Sequence, residues 1–288
     1  MKTIDDSQRD QSRADRQAHY LLRAVNKANF HFGLLMNGDR VLVSVSGGKD
    51  SMTMLDLLYR YRRLAPQRYS LVAAHVVSDW HCGQMVPREW LRRWCHERCI
   101  ELLMPTIDVA DEIAGGESSP CFRCAWQRRK ALFDLAAQYG CAKVAFGHHA
   151  DDIAETTLLN LFYSGRIDRM GPKMRLFDGA LTVIRPLAFV EERDIVSFAR
   201  ASGFPIAGEP CPEGLTSRRA TVKRVLREIE RESRGVKRSI FRAVELHQRA
   251  LPQSVEWGAG VSPASLCGEL EARAPGKESE AIATDGKA

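Results

Sequence analysis

What this chain lacks narrows it first. No apolar run approaches the roughly 20 residues that a membrane helix needs, and Met1–Gln17 is polar and charged, without the apolar centre of a signal peptide. A cytoplasmic protein without membrane contact is therefore the expectation. No internal repeat is visible, which argues against solenoid and propeller architectures. Aromatic residues make up only 8% of the chain, yet 288 residues with 44% hydrophobic content are ample for one large domain with appendages. Eight cysteines in a reducing compartment point to free thiols, metal ligands or catalytic groups rather than to disulfides.

Charge is not short, but it is unevenly placed. The formal net charge is +6, and between Arg218 and Arg249 eleven basic residues face only four acidic ones, so this segment alone carries the surplus. A polyanion such as RNA is one partner that fits such a stretch. A solvated helix face with pairs such as Arg224 to Glu228 is the other reading. Arg218, Arg219, Lys223 and Arg224 are the candidate RNA contacts.

The most informative stretch is Val41-Leu42-Val43-Ser44-Val45-Ser46-Gly47-Gly48-Lys49-Asp50-Ser51. An apolar, β-branched run reads as a buried strand. Met54, Leu55, Leu57, Leu58 and Tyr61 follow at helical spacing, so a helix starts directly after the glycines. Strand, glycine turn and helix N-terminus together aim backbone N–H groups at one spot, where an anion is stabilised and Lys49 adds a point charge. A Walker loop would need a glycine five residues before Gly48, where Val43 stands. Ser46 to Ser51 instead resembles the PP-loop of the ATP pyrophosphatases, enzymes that split ATP into AMP and pyrophosphate. That resemblance implies ATP and Mg2+ as ligands, with Ser46, Gly47, Gly48, Lys49, Asp50 and Ser51 around the phosphates and Lys49 and Asp50 in catalysis.

Along the chain, residues 1–16 read as disordered and Arg16–Phe32 as a helix. Further strands are expected at Ser70–Val77, Ile100–Ile107, Lys143–Gly147 and Thr182–Leu187. Helices are expected at Pro87–Cys99, Cys121–Tyr139, Ile153–Tyr163, Glu191–Ala201, Ser217–Glu232 and Val236–Ala250. This alternation predicts an α/β fold, a parallel twisted sheet with helices on both faces, followed by a C-terminal helical region. Four parts are drawn: an N-terminal helical segment at 1–33, the nucleotide-binding domain at 34–216, a basic helical region at 217–260 and a disordered tail at 261–288. Ligands of such sheets sit beyond the carboxyl ends of the strands, so Ser46-Gly47-Gly48 and Gly147-His148-His149 should be neighbours. Asp151 and Asp152 open the next helix, as caps or as groups that hold magnesium or orient the nucleotide.

Cys121-Phe122-Arg123-Cys124 opens a helix and could be a redox dithiol, half a zinc site or two ligands of a cluster. Taken with Arg128-Arg129, Gly147 to Asp152, Asn160-Leu161-Phe162-Tyr163, Pro172-Lys173, Ile184 to Leu187 and Pro210-Cys211, it resembles the tRNA 2-thiocytidine synthetase (TtcA) family, from about Tyr20 to Ile240. The resemblance implies a 4Fe-4S cluster on Cys121, Cys124 and Cys211 with one iron left open. It implies ATP-dependent adenylation of the C2 oxygen of cytidine 32 in the tRNA anticodon loop and its replacement by sulfur. It also implies Gly147, His148 and Asp151 in ATP binding, tRNA as substrate, a cysteine desulfurase or another sulfur donor as partner, and room for a homodimer.

The chain departs from that family's pattern twice. After Cys211 the family usually has a second cysteine and Gly-Ser-Gln, where Pro212 to Ser217 stand here. The strand after the PP-loop usually ends in an aspartate near the nucleotide, where this chain has Val77, with Asp79 two residues on. His81, Cys82, Cys95, His96 and Cys99 are close enough in sequence for a zinc site, although buried apolar cysteines are the commoner case. His75 at a strand end reads as packed or hydrogen-bonded. The competing readings are a PP-loop amidoligase of the tRNA lysidine synthetase kind and a nucleotide-binding homologue without catalysis.

Overall fold

The computed structural model describes residues 4–80, 85–110, 120–167, 170–208 and 218–250. A first helix, α1 (Ile4–Phe32), leads to β1 (Arg40–Ser44), α2 (Lys49–Tyr61) and β2 (Ser70–Ala74). Next come β3 (Val77–Ser78), α3 (Arg88–His96), β4 (Glu101–Leu103), β5 (Thr106–Ile107), α4 (Pro120–Gln138) and β6 (Lys143–Ala145). The chain continues through α5 (Ala150–Ser164), β7 (Lys173–Leu176), β8 (Leu181–Ile184) and α6 (Glu192–Ala201). Two basic helices, α7 (Arg218–Glu232) and α8 (Val236–Ala250), complete the described part.

Six strands form one sheet in the order β4-β2-β1-β6-β8-β7, parallel except for β7. The doubly covered parallel sheet expected from the sequence is therefore present. Side chains alternate across each strand. Val41 and Val43 join Ala73, Ala145 and Ile184 in a core roofed by α1, α2, α3 and α6. Leu42 joins Val72 and Val144 under Leu132 and Ala136 of α4 on the other face. Central β1 is buried on both faces, which is why its sequence is a continuous apolar run.

Several expectations need correction. Residues 4–16 are helical, not disordered: α1 runs unbroken from Ile4, with Ala14 and Ala18 buried. Asp15 pairs with Arg60 at 2.7 Å, and Gln17 Nε2 donates to Ser197 Oγ at 2.6 Å. These partners lie on α2 and α6, so the helix is held by tertiary contacts that its polar sequence does not announce. The strand expected at Ser70–Val77 is two, as is that at Ile100–Ile107, because Pro105 has no N–H to continue a ladder. The later halves pair as a separate two-stranded sheet, β3 with β5. Strand β7, antiparallel and with charged Lys173 and Arg175 on the sheet edge, was not anticipated.

Lys143 anchors the foot of the sheet. It is buried, donates to Leu34 O at 2.9 Å and pairs with Asp39 at 2.6 Å. Helices α7 and α8 pack on α5, at the carboxyl end of the central strands. The chain to Ala250 is one compact unit. The expected tail at 261–288 lies outside the described residues, and no helix among them is long and apolar enough to cross a membrane.

Candidate functional site

β1 leads into a loop held by its own hydrogen bonds. Gly48 is the N-cap of α2. Gly47 has φ +86°, and a Cβ on it would stand 2.8 Å from Met85 Cβ, so only glycine fits. Ser51 Oγ donates to Gly48 O at 3.0 Å and accepts from Gly47 N at 3.2 Å, while Ser46 Oγ lies 3.1 Å from Ser51 Oγ. The two serines thus tie the turn to the helix, and the first N–H groups of α2 remain for an anion.

The second loop lies alongside, as expected. β6 pairs with β1, so Gly147 meets the start of α2, and a Cβ on it would be 3.1 Å from both the Asp50 carbonyl carbon and Ser51 N. His148 is held neutral: burial, and then the neighbouring Arg185 guanidinium, push its pKa down to about 3. Arg185 Nε donates to His148 Nδ1 at 3.4 Å. His149 is buried and surrounded by acid, 3.6 Å from Asp50, 3.6 Å from Asp151 and 3.3 Å from Asp152. Burial opposes its charge, and the three carboxylates outweigh burial, so its pKa is raised.

From Lys49 the charges alternate in a closed ring. Lys49 Nζ pairs with Asp50 at 2.9 Å and with Glu192 at 3.2 Å. Glu192 pairs with Lys223 at 2.9 Å, and Lys223 lies 3.9 Å from Glu155. Glu155 pairs with Arg219 at 3.1 Å, and Arg219 with Asp152, also at 3.1 Å. Asp152 and Asp50 both reach His149, which closes the circuit. Burial works against charge on Lys49, yet its two carboxylates raise its pKa.

Asp151 stands beside the ring with both oxygens engaged. One accepts the Glu192 N–H at 2.7 Å and the other pairs with Lys237 of α8. Burial would raise its pKa, but His149, Lys237 and the Glu192 N–H hold it well below the usual carboxylate range. Asp152 Oδ2 accepts the His149 N–H at 3.0 Å, which is the expected capping role. Among the described residues no group of three or more His, Cys, Asp or Glu side chains is arranged to hold a metal ion.

Two of the expected RNA contacts, Arg219 and Lys223, thus face carboxylates of this ring. Arg218 stacks over the Tyr163 ring, 4.9 Å from its centroid. Glu155, Arg185, Glu192 and Lys237 were missed from sequence. The available signal was an acidic cluster on an otherwise apolar helix, Asp151, Asp152 and Glu155, with Glu155 one turn from Asp151.

Asp79 does not stand in for the missing aspartate by facing the loop. Its oxygens accept the Val109 N–H at 2.8 Å and the Ala110 N–H at 3.0 Å, and these bonds lower its pKa. His75 is packed as expected, with Nδ1 2.8 Å from Val45 O. A cavity beyond β1 and β2 is lined by Ser46, His75, Ser78, Met85 and Arg128. Arg128 Nε is buried there without a hydrogen-bond partner among the described residues, so this one N–H is open to an incoming acceptor.

Of the expected cluster ligands, Cys121 and Cys124 fall in the first turns of α4. The Cys121 side chain and all of Cys211 lie outside the described residues. Cys124 is buried against Val109, with Trp80 and Ile107 around it, and is a free thiol. A soft, unpaired sulfur donor in water-poor surroundings fits a cluster site. The zinc expectation finds no support: burial pushes the Cys95 thiol up to about 12, Cys99 is exposed, and His81 and Cys82 lie outside the described residues.

Comparison with known proteins agrees with this geometry. The model of the PP-loop domain family matches residues 15–229. A tRNA-cytidine(32) 2-sulfurtransferase of Geobacter sulfurreducens is 42% identical over 224 residues, covering 77% of this chain and 87% of that one. One of the same name from Anaeromyxobacter dehalogenans is 39% identical over 236 residues, 78% of each chain. The fold is shared with the U34-tRNA thiolase NcsA from Methanococcus maripaludis, solved with its 4Fe-4S cluster, at a TM-score of 0.71 and 24% identity over 88% of each chain. With a preformed PP-loop and relatives this similar over most of their length, the chain belongs to the PP-loop family and, within it, to the tRNA-cytidine(32) 2-sulfurtransferases.

Proposed function

We propose that this protein is an ATP-dependent tRNA thiolase that adenylates the C2 oxygen of cytidine 32 in the anticodon loop and replaces it with sulfur, giving 2-thiocytidine. One observation carries the reading. Ser46 of the phosphate loop, Trp80 and Arg128 line the same cavity, and Trp80 also packs against the cluster of Cys124 and Val109, which supports a thiol next to the phosphate loop.

The residues have complementary tasks. A pyrimidine oxygen leaves poorly, and as an AMP ester it can be displaced. The N-terminus of α2 and Lys49 stabilise the pyrophosphate that departs. Magnesium enters with ATP as part of the substrate, bridging phosphates. Asp50 holds the Lys49 ammonium at the loop, and neutral His148 keeps a hydrogen-bonding face without adding charge. Cys121, Cys124 and Cys211 would hold a 4Fe-4S cluster, which when bound would supply Lewis-acid chemistry to the sulfur transfer. The exposed cations of α7 and α8 take the tRNA backbone. Sulfur comes from a cysteine desulfurase or another donor, in the cytoplasm, and a homodimer is compatible with this chemistry.

The decisive experiment is mass spectrometry of tRNA nucleosides from a strain lacking the gene. Loss of 2-thiocytidine, restored by the wild-type chain and not by a Lys49→Ala chain, is expected. Unchanged 2-thiocytidine overturns the assignment.

A further inference from the structure

Glu192 sits between two cations from different elements. Its carboxylate is 3.2 Å from Lys49 Nζ at the phosphate loop and 2.9 Å from Lys223 Nζ on α7. Its backbone is fixed at the start of α6, where the Glu192 N–H donates to Asp151 Oδ2 at 2.7 Å. Its side chain is only 21% exposed, so water screens the two attractions weakly. How strongly Glu192 pulls on Lys49 therefore depends on how firmly Lys223 holds Glu192.

A nucleotide phosphate reaching Lys49 takes the place of a like-charged carboxylate oxygen. Glu192 must then be neutralised by something else, and Lys223 is already beside it. We propose that Lys223 is a positioning residue for ATP: by holding Glu192 it releases the Lys49 ammonium to the phosphates. The first basic helix then belongs to the nucleotide machinery and is not merely a separate grip on RNA. This rests on the reading of Ser46–Ser51 as the ATP site.

Without Lys223, Glu192 has Lys49 as its remaining strong partner and competes with phosphate. Without Glu192, the competitor is gone and Lys223 no longer matters to ATP. That background dependence separates positioning from mere support of the fold, since a structural loss would persist in both backgrounds.

The test is calorimetric titration of the full chain with Mg–ATP in the absence of RNA. Lys223→Met should weaken binding about three- to tenfold. Glu192→Gln should not weaken it, and the double variant should bind like Glu192→Gln alone. Wild-type affinity in Lys223→Met, or the same weakening in the Glu192→Gln background, overturns the proposal. Melting curves run alongside, and should Lys223→Met not fold, Lys223→Gln takes its place in the cycle. A wild-type chain that binds no ATP would instead sink the reading of the site itself.

Discussion

Gly147, in the loop after β6, and Asp50, in the first turn of α2, are almost a hundred residues apart, yet a Cβ added to Gly147 would stand 3.1 Å from the Asp50 carbonyl carbon. That approach is backbone on both sides, so neither can turn aside. Gly147→Ala should push the two loops apart, lowering ATP affinity about tenfold and costing roughly 1–3 kcal/mol of stability. Titration with ATP and urea unfolding check both, and an unchanged affinity would show that the loops need not touch.

Cys121→Ala, Cys124→Ala and Cys211→Ala should each prevent a stable 4Fe-4S cluster, because three thiolates are already one fewer than the usual four. Cys267→Ala should be silent. Absorbance near 400 nm and iron content after anaerobic reconstitution report the result; equal iron in the Cys211→Ala protein would mean the third ligand is elsewhere.

Replacing Arg218, Arg219, Lys223 and Arg224 by Ala should weaken tRNA binding and flatten its salt dependence, by a log–log slope of roughly 0.7 to 0.9 for each phosphate that is no longer neutralised. The sequence alone suggests that ATP hydrolysis without RNA would be untouched. The ring of ion pairs revises that, since Arg219 and Lys223 neutralise Glu155 and Glu192. Arg218→Ala with Arg224→Ala is the cleaner pair: tRNA binding should weaken while RNA-free ATP binding stays as in wild type.

His148 gives stability a pH dependence of definite sign. Its folded pKa is pushed from 6.5 down to about 3, so between those values the unfolded chain binds a proton that the native protein refuses. Stability must fall as the pH falls through that window. His149, raised by its carboxylates, works in the opposite direction: it stabilises below 6.5, and that contribution fades as the pH rises through its higher folded pKa. His148→Gln should lose less stability than wild type in urea unfolding between pH 6.5 and about pH 4.5. Equal losses would mean that His148 is not held neutral.

The phosphate loop was legible because its chemistry is local. Glycines that only one conformation explains, serines that tie the turn, and a strand apolar on both faces all fall within Val41–Ser51. The adjacency of the two loops followed from strand order, a general property of parallel sheets. The ring was not legible, because its links span distance: Lys223 and Glu192 are 31 residues apart, and Lys237 and Asp151 are 86 apart. A basic helix looks the same from sequence whether it faces phosphate or buried carboxylates. The N-terminal half of α1 was missed for a related reason, since its partners Arg60 and Ser197 lie on other helices.

The supply of counter-ions from the last described helices also sets the order in which the enzyme can be finished during synthesis. Asp151 and Glu155 are buried, and their cations, Lys237 and Arg219, leave the ribosome long after the phosphate loop does. A nascent chain that stops short of Lys237 holds the loop and the sheet but not the charges that set α5 against α6. The ring of ion pairs around Lys49 therefore closes only once α7 has emerged.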